Sequence, residues 1–223
     1  MIKKLVPGWL KSKVYRAVVA QVKENNKAIS QSIPRTNIPS QSIKNTKLLS
    51  NRVELLRLLP KHGVVAELGV DQGGFSELIL KLCEPQKLHL VDLWDSERYN
   101  QNKRKHVEDK FKTEIGSGRV KINLGFSTEV VARFENSYFD WVYIDTDHSY
   151  KTTIKELEIL RPKIKPGGII AGHDFIIGNW DGIVRYGVIE AVYEFCSKYN
   201  WEILYLTMEI DNHPSFAIRE IFQ

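Results

Sequence analysis

From Asn51 onward, short apolar runs of strand length alternate with longer segments of helical spacing. Val64–Leu68, Leu88–Leu93, Val120–Leu124, Trp141–Ile144 and Ile169–Gly172 read as strands. Asn51–Leu59, Phe75–Cys83, Lys103–Glu114, Thr128–Phe134, Tyr150–Arg161 and Gly187–Tyr199 read as helices, with Asn51 as a cap and Pro60 and Pro162 as stops. A helix between successive strands carries the chain back over the sheet and makes neighbours parallel. The pattern predicts a doubly wound α/β sheet of seven strands. Glu202–Leu206 and Ser215–Arg219 have no helix between them, which predicts an antiparallel C-terminal edge hairpin.

At 223 residues the chain suits one domain plus an extra segment. Its 43% hydrophobic and 26% charged residues exclude a disordered or fibrous chain. No apolar run is long enough for a membrane span. The first residues, MIKKLVPGWLKSK, lack the continuous apolar stretch of a signal peptide. Cys83 and Cys196 both sit in apolar helical stretches, which suits buried thiols in a reducing cytoplasm. A cytoplasmic protein is expected.

Charge is unevenly placed. Residues 1–50 carry ten Lys/Arg against one acid, Glu24, whereas residues 51–223 carry 22 against 26. Leu10, Val14, Val18 and Val22 recur every fourth position, with Lys11, Lys13, Arg16 and Lys23 off that stripe. Residues 1–24 therefore read as a basic amphipathic helical arm. Residues 25–49, rich in Ser, Asn, Gln and Pro, read as a linker, and residues 50–223 as the α/β domain. Such an arm suits an anionic partner, a membrane surface or nucleic acid, or is simply a solvated helix.

Ligands of open α/β sheets bind beyond the carboxyl ends of the strands. The residues there are Glu67 and Gly69, Asp92, Gly125-Phe126-Ser127, Asp145-Thr146-Asp147-His148 and His173-Asp174. In ELGVDQGGFSELIL, Gly69 and Gly73 let the backbone turn tightly. A dinucleotide fingerprint needs glycine where Asp71 stands, and an acid there repels a pyrophosphate. Glu67 suits a ligand that carries cations. Asp92, closing the next strand, can accept from both hydroxyls of a ribose. Together these residues point to a nucleoside ligand.

These motifs resemble those of the class I S-adenosylmethionine (SAM)-dependent methyltransferases, a Rossmann-like family, over about residues 50–220. ELGVDQGG is similar to the family's first motif, VDLW to its second, and RPKIKPGGIIAGHDF to the segment entering the fifth strand. WVYIDTDHSY before that segment narrows the likeness to bacterial O-methyltransferases of sugars in antibiotics and surface glycans, some of them metal-dependent.

The resemblance implies roles. Glu67 and Gly69 would border the methionine end of SAM, Gly73 would open the turn, and Ser76 would bond near the carboxylate. Asp92 would hold the ribose, with Leu93 or Trp94 against the adenine. Gly125, Phe126 and Ser127 would complete that pocket, and Asp145 would face the boundary with the acceptor. The implied acceptor is a small molecule or glycan, and a homo-oligomer is expected.

A sugar hydroxyl is a poor nucleophile until its proton leaves. A general base supplies about 10²–10⁴-fold, and a divalent cation can lower the hydroxyl pKa instead. The base candidates are Asp147, His148 and His173. An imidazole suits the task because its ordinary pKa is about 6.5. The metal candidates are Asp145, His173 and Asp174. Two carboxylates suit Mg²⁺, whereas His173 stands where metal-dependent relatives usually place a carboxylate and favours softer ions. Trp180, Arg185 and Tyr186 could contact the acceptor, or belong to a lid that packs on its own core. A nicotinamide-dependent oxidoreductase is disfavoured by Asp71. A nucleic-acid methyltransferase using the basic arm is disfavoured because Asp145-Thr146-Asp147-His148 lacks the proline loop of many base-methylating enzymes.

Overall fold

The computed structural model describes residues 8–179, 183–209 and 213–222. In chain order the elements are α1 (Gly8–Ser32), β1 (Lys47–Leu49), α2 (Arg52–Leu58), β2 (Val64–Leu68), α3 (Gly74–Leu82) and β3 (Lys87–Asp92). There follow α4 (Gln101–Lys110), α5 (Lys112–Gly116), β4 (Val120–Leu124), α6 (Ser127–Ala132), β5 (Phe139–Ile144), α7 (Tyr150–Leu160) and β6 (Ile164–Gly172). The chain closes with β7 (Gly178–Asn179), β8 (Val184–Arg185), α8 (Val188–Tyr199), β9 (Trp201–Thr207) and β10 (Phe216–Glu220).

The main sheet runs β1-β9-β10-β6-β5-β2-β3-β4. β2, β3, β4, β5 and β6 pair in parallel, and β10 lies antiparallel to both β6 and β9. Apolar side chains leave both faces of the sheet. One core gathers Leu68, Val142, Ile144, Leu157, Phe195 and Phe216, and the other Leu55, Val65, Ile79, Leu90, Trp141 and Tyr143. Because the central strands are buried on both faces, they read as continuous apolar runs.

Local chemistry sets the helix starts. The Asn51 side chain accepts from Glu54 N at 3.0 Å, and the Ser149 hydroxyl accepts from Thr152 N at 3.2 Å. Each satisfies one of the amides a helix leaves open at its start. Both caps sit directly after loops that lead out of the sheet, so they also fix where those loops end.

Two features differ from the sequence expectation. α1 runs to Ser32, through the first part of the stretch read as a linker. The rest is tied to the body: Ile33 and Ser42 are buried, Thr46 donates to Ile203 O at 2.7 Å, and β1 pairs in parallel with β9. β1 makes an eighth strand and covers the open edge of β9, whose backbone groups need partners. Three residues are too few to show a period, so this strand left no mark in the sequence pattern. β7 and β8 form a second small sheet after β6. Among the described residues no helix is long and apolar enough to cross a membrane.

Candidate active site

The parallel strands β2, β3, β4 and β5 end along one side of the sheet, and a cleft of about 830 Å³ opens there. Glu67, Gly69, Asp92, Gly125, Phe126, Ser127, Asp145, Thr146, Asp147 and His148 all line it, so ten of the residues selected at strand ends converge on one cavity. Its size suits a nucleoside-sized ligand together with part of a second molecule.

The floor is the turn after β2. Gly69 has φ +87°, and a Cβ there would lie 1.9 Å from the Asp145 carbonyl oxygen. The β2 and β5 turns therefore pass each other at backbone contact, joined by Asp145 N donating to Leu68 O at 2.7 Å. Gly73 takes φ +71° ahead of α3, and a Cβ there would press on Phe111. Gly74, not Gly73, lines the cleft, and a Cβ at Gly74 would meet nothing within 4 Å.

Asp92 ties the donor loops together. One carboxylate oxygen accepts from Val70 N at 2.8 Å and Asp71 N at 3.2 Å, and the other from Trp94 N at 3.0 Å. A carboxylate oxygen can accept twice, so the second oxygen retains an open site. The Asp71 carboxylate, which argued against a pyrophosphate, is bridged by Lys103.

Two expected donor contacts stand elsewhere. Trp94 is buried in the core rather than lining the cleft. Its φ of 45° turns the ring inward, and its indole donates to Asp71 O at 2.9 Å. Leu93 and the exposed Phe126 present the apolar surface instead. Ser76 is buried beneath the turn and donates to Glu67. Burial pushes the Glu67 carboxyl up to about 8, against the opposing pull of that hydrogen bond. At neutral pH Glu67 is mostly protonated.

Beside the cleft, at the ends of β5 and β6, lies a compact acid–imidazole cluster. His148 Nδ1 lies 3.0 Å from Asp174 Oδ2, and His173 Nδ1 lies 3.4 Å from the same oxygen and 3.7 Å from Asp145 Oδ1. His213 bonds the other Asp174 oxygen. Burial alone would raise the Asp174 carboxyl, but the three imidazoles outweigh it and hold it at about 2. Burial likewise opposes charge on His173, yet Asp145 and Asp174 lift it to about 9. Ligand atoms of Asp145, His148 and Asp174 all lie within 4.8 Å of one another.

The three base candidates separate by geometry. Asp147 accepts from Ser149 N at 2.9 Å and from the Thr152 hydroxyl at 2.8 Å, so its carboxylate braces the start of α7. His173 does not line the cleft, and its Nε2 is buried without a partner. His148 lines the cleft, with Tyr186 4.9 Å from its ring and its carbonyl accepting from Gly187 N at 2.9 Å. Arg185 is engaged within the protein, donating to Ile177 O at 3.0 Å and to Ser30 at 3.1 Å. Trp180 lies outside the described residues.

Three site residues escaped the sequence reading. Glu156 on α7 is buried, accepts from Ser127 and from Thr146 at 3.1 Å, and is pushed up by burial to about 7. Its mid-helix position gave no signal. His213 comes from a loop distant in sequence. Arg52 lines the cleft beside Glu67, its guanidinium 4.8 Å over the Phe75 ring.

A family model described as a methyltransferase domain matches residues 66–175, which span the turn after β2 through Asp174. No curated protein matches the chain. Solved structures share the architecture. An O-methyltransferase from Bacillus cereus, in complex with S-adenosylhomocysteine (SAH), is 14% identical, with a TM-score of 0.55 over 91% of this chain and 89% of its own. A SAM-dependent methyltransferase from Aquifex aeolicus is 13% identical, with a TM-score of 0.54 over 86% of this chain and 97% of its own. The Bacillus subtilis M1A22 tRNA methyltransferase TrmK is 12% identical, with a TM-score of 0.56 over 78% of this chain and 67% of its own. The chain spans only 43% and 54% of two longer structures that it matches. At such identities the likeness speaks for the fold. Taken with the family match over residues 66–175, just under half of the chain, and the strand-end cleft, it gives this chain the fold of the class I SAM-dependent methyltransferases.

Proposed function

We propose that this enzyme transfers the methyl group of SAM to a hydroxyl oxygen of a sugar, free or within a glycan or glycosylated natural product. The observation that carries the reading is the His148–Asp174 pair at the mouth of the donor cleft.

The cleft fits SAM by its own chemistry. Asp92 has an open acceptor site for a ribose hydroxyl, and Leu93 and Phe126 offer apolar faces for the adenine. Gly74 leaves space above the turn. At the methionine end Glu67 is largely neutral, Asp71 is paired with Lys103, and Arg52, which acts electrostatically on Glu67, lines the cleft there, whereas Lys151 and Lys155 line it from α7. Arg52 can therefore hold the methionine carboxylate, and Asp145 can face the positively charged sulfonium.

Transfer requires the acceptor oxygen in line with the methyl–sulfur bond, and alignment alone contributes roughly 7–11 kcal/mol. Asp174 Oδ2 lies 3.0 Å from His148 Nδ1, so its charge favours the proton on that nitrogen and leaves Nε2 to take the hydroxyl proton. As the proton moves to His148, the buried Asp174 carboxylate stabilises the imidazolium. His213 fixes Asp174 from the other side. His173, protonated at neutral pH, offsets the remaining charge of Asp145 and Asp174 and is a poor base.

A second reading is favoured by the close approach of Asp145, His148 and Asp174. Their donor set fits a divalent cation, which when bound would lower the pKa of the acceptor hydroxyl. Chelation divides the two. With His148 as base, turnover persists in chelator and falls in His148→Ala. With a bound cation, chelator abolishes turnover, Mg²⁺ or Mn²⁺ restores it, and SAH binding is unchanged throughout.

A further inference from the structure

α1 is 25 residues long and rests on the body along one face only. Val19, Val22, Asn26 and Ser30 are half-buried, while the rest of the helix from Trp9 onward is exposed. Two polar contacts tie it to the β7–β8 hairpin: Asn26 donates to Ile183 O at 3.0 Å, and Arg185 donates to Ser30 at 3.1 Å. The same hairpin leads into Tyr186, which packs on His148. α1 therefore projects from the acceptor side of the site.

At 100° per residue, Leu10, Val14 and Val18 form a stripe that reaches the body-facing side only at Val22. They are 37%, 55% and 54% exposed, and Trp9, on the basic side, and Tyr15, in line with the body-facing residues, are 68% and 70% exposed. Lys13, Arg16, Lys23 and Lys27 form a basic face on the other side, and Glu24 is the one acid in the helix. A contiguous exposed apolar stripe rimmed by charge marks an interaction surface.

Charge selects the occupant. A second copy of the arm would bring together two segments that each carry ten Lys/Arg in residues 1–50 against one acid. An anionic bilayer surface supplies both missing complements, negative charge for the basic face and acyl chains for the stripe. Trp and Tyr are the rings that settle at headgroup depth.

We propose that α1 is a membrane-surface docking helix that seats the enzyme on an anionic phospholipid bilayer, with the hairpin beside the acceptor site turned towards that surface. This places the reaction where acceptors borne on lipid are presented. It does not depend on which base removes the acceptor proton.

The test is flotation of the full chain with vesicles. Binding is expected to phosphatidylglycerol/phosphatidylcholine vesicles and not to pure phosphatidylcholine. Val14→Asp/Val18→Asp should lower it by at least about tenfold through loss of the buried stripe. Each of Lys13→Gln, Lys23→Gln and Lys27→Gln should lower it about fivefold. SAH affinity and melting temperature should be unchanged in all variants, which shows that the body is intact. Absence of binding to anionic vesicles by the full chain overturns the proposal. So does a full chain that is dimeric in solution and whose Val14→Asp/Val18→Asp variant becomes monomeric with vesicle binding unaltered, because the stripe is then a contact between copies.

Discussion

His148 Nδ1 sits 3.0 Å from Asp174 Oδ2, so the ends of β5 and β6 are joined by an imidazole–carboxylate pair at the cleft mouth. Both residues take left-handed backbone, with φ of 59° at His148 and 58° at Asp174. Such backbone is uncommon outside glycine, and Asp and His are among the side chains that adopt it.

If this pair removes the acceptor proton, His148→Ala should lower kcat by about 10²–10⁴-fold. Asp174→Asn should lower it as well, by leaving the imidazole without its orienting charge. Neither should change SAH affinity, because the residues proposed to hold its nucleoside and carboxylate, Asp92, Leu93, Phe126 and Arg52, lie on other elements. Steady-state kinetics with calorimetry checks both halves.

Arg52→Met should weaken SAH by about 10–100-fold, the range for a hydrogen bond to a charged group. Methylthioadenosine lacks the amino-acid carboxylate and should bind wild type and variant equally. Calorimetry with the two ligands separates loss of one contact from collapse of the cleft. Equal weakening of both ligands contradicts the assignment.

The convergence of residues on the cleft was legible in the sequence because it follows from strand ends. Gly69, Asp92 and Asp145 each close an apolar run, and a parallel sheet brings such residues together. Trp94 was not legible in the same way. Its place follows from the backbone turn after Asp92 and the hydrogen bond to Asp71 O, both tertiary. Glu156 and His213 reach the site from a helix interior and a distant loop, where no local spacing marks them. The helical run from Asn25 to Ser32 was hidden because its residues are polar on nearly every side.

Gly69→Ala should destabilise the fold and abolish SAH binding. The positive φ strains any side chain, and the added carbon meets Asp145 backbone that cannot move without breaking the bond between Asp145 N and Leu68 O. Gly74→Ala meets open space at the start of α3 and should fold normally. It should lose SAH affinity alone, by crowding the cleft. Thermal melting and calorimetry on the pair distinguish the two effects.

Glu67 and Glu156 give a stability that depends on pH. Each has a folded-state pKa above the ordinary 4.5, at about 8 and about 7. The folded protein therefore binds more protons than the unfolded chain between about 4.5 and 8, and stability falls as pH rises through that window. Glu67→Gln and Glu156→Gln should each flatten the fall. Denaturant titrations from pH 5 to about 9 check the sign. A wild-type stability that rises across the window contradicts the burial of these acids as neutral groups.

The most direct measurement supplies SAM labelled in its methyl group to the enzyme with a glycolipid and polysaccharide fraction, and then determines the linkage of the label. Methyl transfer to a sugar hydroxyl predicts label in a methyl ether that survives alkali, formed by wild type and lost in His148→Ala. Label recovered in nucleic acid or protein, or in an alkali-labile ester, by an enzyme that binds SAH normally, contradicts it.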